Sequence, residues 1–175
     1  TNNIPLLYRD GMFGTRLEGA SDAASPRYIY TKMEYLTEYL FREEDEPLLN
    51  QVNDDGDLVQ PEFYVPILPM ILVNGCSAGI GTGWSSDIPQ FNPLDVLNNI
   101  RRLMLGQEIQ VMTPWYRGFT GSIRRVAANQ WMTKGKYRVV DATTVEITEL
   151  PVGSWTQDFK NVLDMYEAGF KTGGA

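Results

Sequence analysis

Histidine is missing altogether from these 175 residues, and cysteine occurs once, as Cys76. Without histidine there is no Ser-His or Cys-His catalysis and no ordinary zinc site. One thiol cannot close a disulfide within the chain, and its solitude fits a reducing compartment. Long apolar runs are also lacking. The longest, Val65 to Val73, contains Pro66 and Pro69 and falls well short of a membrane span, so no membrane partner is expected. The start, Thr1-Asn2-Asn3, shows neither an initiator Met nor a basic-then-apolar signal peptide, and Lys171 to Ala175 closes without a recognisable structural signal. Both ends read as cuts through a longer polypeptide. What is left for nucleophilic chemistry is Ser, Thr, Lys, Tyr, the carboxylates and one thiol.

What is present describes a folded chain. Hydrophobic residues make up 43% and charged residues 21%, with no long low-complexity run, which suffices for one core or two small ones. The net charge of -7 is the wrong sign for gripping phosphates, but it is unevenly spread. Between Glu43 and Glu62 stand eight acidic residues and no basic one, whereas from Asp87 onward ten basic residues face nine acidic ones. The acidic stretch reads as a solvated loop turned away from any nucleic acid. Arg124-Arg125 and Lys134-Lys136-Arg138 are local basic clusters, while Arg101-Arg102 reads as a solvated helix face. Strong nucleic-acid affinity of this chain alone is not expected.

Residues 1–24 read as loop with short strands. Ser25, a good N-cap, followed by Pro26 at the first helical position, predicts a helix carrying Ile29, Met33, Leu36 and Leu40 on one face. Residues 42–60 form an acidic connection with one helical turn near Pro47, and Phe63 to Val73 reads as a buried, irregular extended segment. A glycine-rich stretch, Gly75 to Gly83, precedes a second helix capped by Asn92-Pro93 and ending near Gly106. Four β-prone runs over 119–150, separated by Ala128-Asn129, Lys134-Gly135 and Asp141-Ala142, predict an antiparallel meander. A last helix should follow Ser154, whose Gln157 completes a capping box.

The chemically suggestive site is Ser25-Pro26-Arg27-Tyr28. Were Ser25 to cap a helix, Tyr28 would lie in its first turn, where free N–H groups favour an anion. Arg27 adds a cation able to hold a phosphate through two hydrogen bonds. An ordinary phenol has a pKa of about 10, so roughly one in a thousand is ionised at pH 7. A guanidinium and a metal ion nearby would raise that fraction and stabilise a pentacovalent phosphorus. By residue type alone, a tyrosine beside an arginine at a helix start is far more often plain surface or core.

Neighbouring words change that balance. Gly11-Met12-Phe13-Gly14-Thr15-Arg16, Ser25-Pro26-Arg27-Tyr28-Ile29-Tyr30, Pro61-Glu62-Phe63-Tyr64-Val65-Pro66-Ile67-Leu68-Pro69-Met70, Val73-Asn74-Gly75 with Gly79-Ile80-Gly81-Thr82-Gly83-Trp84-Ser85, and Glu146-Ile147-Thr148-Glu149-Leu150-Pro151 occur in this order. Together they resemble the DNA-cleavage core of eukaryotic-type type IIA DNA topoisomerases over nearly the whole chain. The resemblance implies an α+β fold: the end of a winged-helix domain over 1–65, then the first part of an α/β tower (shoulder) domain over 66–175 containing the meander. It implies that Tyr28 attacks a DNA phosphate and becomes joined to the 5′ end, that Arg27 stabilises the transition state, and that Ile80 wedges between base pairs and bends the duplex. A branched apolar wedge among glycines suits close approach of backbone to a minor groove. Trp155 matches a DNA-contacting position, and Arg16 one that touches the DNA backbone.

The same resemblance implies an ATP-dependent enzyme that breaks one duplex, passes another and religates, working as a nuclear homodimer on double-stranded DNA, with a viral source as the other possibility. Its Mg2+ and ATP would be bound by domains outside this chain, the metal by a TOPRIM domain; no metal ligands are assigned here, and the segment alone is expected to be inactive. Three departures stand out. Met12 replaces a glutamine, Gly153 replaces an arginine, and the run from Asn74 to Ile80 is one residue longer than the common form. Two other functions compete. A fragment of the A-type subunit of bacterial gyrase or topoisomerase IV would share the chemistry, but Trp84-Ser85 argues against it. A non-catalytic DNA-bending module would need Ile80 and Trp155 but neither Arg27 nor Tyr28. Gly79-Ile80-Gly81-Thr82-Gly83 lacks the spacing of a dinucleotide loop, Cys76 reads as a small semi-buried residue, and Trp115 and Trp131 read as packing.

Overall fold

The computed structural model describes residues 2–169, and packing divides them into two compact units. One takes the residues up to Tyr8 together with Lys32–Arg117; the other takes Arg9–Thr31 together with the residues from Gly118 onward. The boundary expected at residues 65 and 66 lies inside the first of these.

In chain order, β1 (Leu7–Asp10) pairs with β2 (Tyr30–Met33), and α1 (Tyr35–Leu40) follows. After a 3-10 turn over Glu43–Leu48 come β3 (Gln51–Asp54) and β4 (Asp57–Pro61), then α2 (Met70–Val73), β5 (Cys76–Gly81), β6 (Trp84–Ile88) and α3 (Pro93–Met104). Next are β7 (Ser122–Ala127), β8 (Gln130–Lys134), β9 (Lys136–Val139), β10 (Val145–Glu149) and α4 (Thr156–Glu167). The fold is mixed α and β. Among the described residues the strands form five separate two-stranded ribbons, antiparallel in the pairs β3·β4, β5·β6, β7·β8 and β9·β10.

In the first unit, Leu40, Val73 and Val96 are the enclosed apolar side chains, and the short α2 touches α3. Asn3 is buried beside them. Its Nδ2 donates to the carbonyls of Val73, Phe91 and Trp115 at 2.9, 3.2 and 3.0 Å, while its Oδ1 accepts the Arg117 N–H at 2.8 Å. One amide thus ties together four backbone groups, its two N–H hydrogens shared among three carbonyls. Asn92 caps α3 as its sequence predicts, accepting the Leu94 N–H at 3.0 Å, with Pro93 at the first position.

Several expectations need correction. No helix starts at Ser25: Pro26–Tyr28 is a single 3-10 turn, Ser25 makes no side-chain cap, and the chain is extended from Ile29. Aromatic and β-branched residues, Tyr28-Ile29-Tyr30-Thr31, favour strand over helix, and pairing with β1 decides the outcome. Only the last third of the predicted helix forms, as α1. The acidic connection is not a plain loop, because β3 and β4 make a hairpin around Asp55-Gly56, whose φ values of +50° and +101° suit a two-residue turn. Phe63 to Val73 is not buried as a whole; Phe63 is 66% exposed and Val73 alone is enclosed.

The meander over 119–150 is two hairpins instead. β8 and β9 are joined by Gly135 alone, too short a link to reverse a chain, and a Cβ at Gly135 would lie 2.2 Å from the Glu149 carbonyl oxygen. In the first hairpin Ile123, Trp131 and Thr133 face inward, half-buried, while Arg124, Met132 and Lys134 are exposed. α4 does follow Ser154, but neither the serine cap nor the capping box forms. Trp155 occupies the N-cap position, and the carbonyls of Arg16 and Leu17 accept the Thr156 and Gln157 N–H groups at 3.2 and 2.9 Å. Main-chain oxygens from a distant loop do what the serine hydroxyl would have done.

One irregularity lies before the glycine turn. In β5, Cys76 faces Ile88 but Gly79 faces Ser86, so residues 77 and 78 stand against Asp87 alone, a β-bulge.

Candidate functional site

Tyr28 is presented by a loop that the second unit holds closed at several points. Gly11, at φ +115°, lets the chain pass Ile29, where a Cβ would lie 2.8 Å from the isoleucine Cγ2. The Ala24 N–H donates to the Met12 carbonyl at 2.9 Å, and Gly19 to that of Thr15 at 2.8 Å. Asp22 accepts both the N–H and the hydroxyl of Thr15, and these bonds hold its carboxyl below the usual range. The Tyr28 N–H donates to the Ser25 carbonyl at 2.9 Å, closing the short turn.

The tyrosine side chain is 65% exposed, and the Arg27 guanidinium carbon lies 5.0 Å from its ring centroid. This is a cation–π distance. A helix N-terminus does not contribute here, since the turn is three residues long and the chain beyond is extended. The positive charge beside the phenol therefore comes from Arg27, not from a helix dipole.

Ile80 is near the tip of the β5–β6 hairpin, opposite Ser85 and 83% exposed. Thr82-Gly83 makes the turn, with Gly83 at φ +78°. Trp84, opposite Gly81, is equally exposed but on the alternate face of the ribbon. Ile80 belongs to the first unit, and Tyr28, Arg27, Arg16 and Trp155 to the second.

Arg16 and Trp155 come together through the loop. Trp155 is half-buried over Gly19, where a Cβ would come within 2.5 Å of the indole. The Arg16 guanidinium donates to the Glu149 carboxylate, whose side chain is 5% exposed against 58% for Arg16. Thr120 completes the carboxylate's shell, its N–H at 3.0 Å and its hydroxyl at 3.1 Å. The Arg16 hydrogen bond is the main cause that holds Glu149 below its ordinary pKa of 4.5, against the opposing effect of burial. Sequence reasoning named Glu149 only as a letter in a motif. Nothing in its spacing shows that it is enclosed or that Arg16, far away in the chain, reaches it.

Asp55 lies in the β3–β4 hairpin turn and Asp57 directly after it, and among the described residues no group of three or more His, Cys, Asp or Glu side chains could hold a metal ion. None of the described helices is long and apolar enough to cross a membrane.

The family model described as the A-type subunit of DNA gyrase/topoisomerase IV matches residues 1–171. The chain belongs to that family. Within it, the similarities run to the eukaryotic type II enzymes. The chain is 46% identical over 172 residues to the probable DNA topoisomerase 2 of Dictyostelium discoideum, covering 95% of this chain and 11% of that protein. It is 49% identical over 160 residues to human DNA topoisomerase 2-alpha, covering 91% of this chain and 10% of that one. A crystal structure of the Plasmodium falciparum topoisomerase II DNA-binding, cleavage and re-ligation domain superposes with a TM-score of 0.86 at 44% identity, covering 94% of this chain and 22% of the other. The chain thus spans about a tenth of the length of the curated relatives it matches. These likenesses support the eukaryotic-type topoisomerase reading over the bacterial-type one.

Proposed function

We propose that this chain supplies the nucleophile of a eukaryotic-type type IIA DNA topoisomerase, and that the nucleophile is Tyr28. The observation that carries the reading is an exposed phenol with a guanidinium against its ring, in a chain of this family. In the proposed step Tyr28 Oη bonds to a backbone phosphorus as the bond from phosphorus to O3′ breaks. The phenolic proton passes to solvent, the departing O3′ takes up a proton, and the 5′ end remains as a phosphotyrosine ester. Reversal by the 3′ hydroxyl reseals the strand with no external energy, because one phosphoester has been exchanged for another. Arg27, swung from the ring to the phosphate, would balance the charge on the equatorial oxygens.

Around that centre, residues 1–65 are assigned to the winged-helix domain and 66–175 to the tower. Ile80 is the wedge that bends the duplex. Trp155 contacts the DNA, and Arg16 touches its backbone with the part of the guanidinium that Glu149 leaves open. Mg2+ and ATP act in the full-length homodimer, on domains beyond this stretch, with the TOPRIM domain bringing the metal. The enzyme works in the nucleus, or in infected cells if viral. The 175 residues alone neither cleave nor relax DNA.

The deciding experiment is covalent trapping with the full-length protein. Tyr28→Phe should abolish the DNA adduct on denaturing gels while duplex affinity stays within about threefold, because one hydroxyl is lost from an exposed side chain. Adducts that persist in the variant eliminate Tyr28.

A further inference from the structure

We infer that Glu149 is a positioning residue for the cleavage reaction, acting through Arg16 on the loop that carries Tyr28; the inference rests on Tyr28 being the nucleophile. A carboxylate removed from water is costly unless its oxygens are fully satisfied. Here one oxygen takes Arg16 and the other takes both donors of Thr120, so the group is held from two directions. Each side of this junction belongs to a different stretch of chain. Glu149 ends β10, Thr120 leads into β7, and Arg16 lies within the loop that runs from Gly11 to the Pro26–Tyr28 turn.

That loop has no strand or helix of its own over residues 12–24, apart from the Thr15–Gly19 bridge. The β1·β2 pairing holds its two ends, and between them its orientation comes from where it is tied down. The ties are the Arg16 ion pair, the carbonyls of Arg16 and Leu17 on the first turn of α4, and Gly19 under Trp155. All of them fall within four residues, Arg16 to Gly19, and all involve β10, its exit or α4. Downstream, the Ala24 N–H on the Met12 carbonyl closes the loop one residue before Ser25. Releasing Arg16 would free the loop to shift against α4, and Tyr28 lies four residues beyond that closure. Misplacing a reacting atom by about 1 Å can slow a reaction by about 100-fold while leaving binding almost untouched.

A purely structural role predicts something else: a lower melting temperature and fewer active molecules, each cleaving at the normal rate. Glu149→Gln separates the two. The amide keeps the shape and can still accept from Thr120, but it loses the charge that anchors Arg16. In the full-length enzyme, we expect adduct formation at saturating duplex, counted per active site, to slow by roughly ten- to a hundredfold, with duplex affinity changed by less than threefold. Arg16→Gln should slow the step at least as much, and adding Glu149→Gln to it should slow the step no further, because the contact through which Glu149 acts is already gone. Glu149→Asp, one methylene short, should not restore the rate.

A normal per-site rate in Glu149→Gln overturns the inference, and so do effects of the two variants that multiply. If Glu149→Gln does not fold, Glu149→Asp carries the test: it should slow the step, and a normal rate overturns the inference. Tyr28→Phe, run alongside, keeps the two readings apart. Adducts surviving in that variant remove the nucleophile assignment itself, whereas their loss together with a normal rate in Glu149→Gln removes only the positioning role.

Discussion

The side chain of Asn74 pairs with the backbone of Ile4 in both directions, Nδ2 donating to the carbonyl at 2.8 Å and Oδ1 accepting the N–H at 2.9 Å. An amide side chain here imitates a strand neighbour and fixes the N-terminal segment where Asn3 can reach three further carbonyls. Asn3→Ala should therefore destabilise the protein by about 2 kcal/mol or more, since several buried backbone groups lose their partner at once. Urea unfolding measures it; a change below about 0.5 kcal/mol would show that water replaces the amide at no cost.

The Glu149 carboxylate predicts an acid-sensitive loop. Its folded pKa lies below its ordinary 4.5, so its contribution to stability is complete above that value and is lost as pH falls through the lower folded one. The groups facing it are the Arg16 guanidinium and the N–H and hydroxyl of Thr120. Limited proteolysis within residues 14–20 should accelerate below about pH 4.5 in the wild type. Glu149→Gln should show the faster cleavage already at pH 7 and little pH dependence beyond it.

Gly19 lies at φ +68° with the Trp155 indole directly against it. Gly19→Ala meets both a strained backbone and a steric clash, so the indole must move. A loss of about 1–3 kcal/mol is expected. Tryptophan emission should shift relative to wild type, and the shift should vanish in a Trp155→Phe background, which identifies the indole responsible. An unchanged spectrum would show that the loop, not the indole, gives way.

Ile80, being 83% exposed, contributes little to folding. Ile80→Ala should leave stability within about 0.5 kcal/mol and yet reduce duplex bending, read by fluorescence transfer between labelled DNA ends in the full-length enzyme. Unchanged bending would discard the wedge role.

Legibility in the sequence followed the range of each interaction. Asn92-Pro93 announced α3 because cap and first-turn proline act within three residues. The four strands of 119–150 and the turn at Ala128-Asn129 were likewise local, Asn129 taking its left-handed conformation at φ +58°, whereas the expected turn at Lys134-Gly135 does not reverse the chain. The Ser25 helix failed because a long-range partner, β1, competed for residues 30–33 and won. The Ser154 cap failed for the same reason: carbonyls from residues 16 and 17 arrived from far away in the chain and satisfied the helix end. Tyr28, Arg27 and Ile80 stood out through motif resemblance, whereas the meeting of Arg16 with Glu149 depends on the fold and left no periodic trace.

The bulge in β5 bears on how this lineage could change length. Side chains of a strand alternate between its two surfaces, so a surplus residue ordinarily inverts every position downstream. Here the surplus is shed at positions 77 and 78, before the hairpin tip, and strict alternation resumes from Gly79 to Gly81. One surplus residue is thereby absorbed before the tip, and Ile80 stands opposite Ser85 in regular register beyond it.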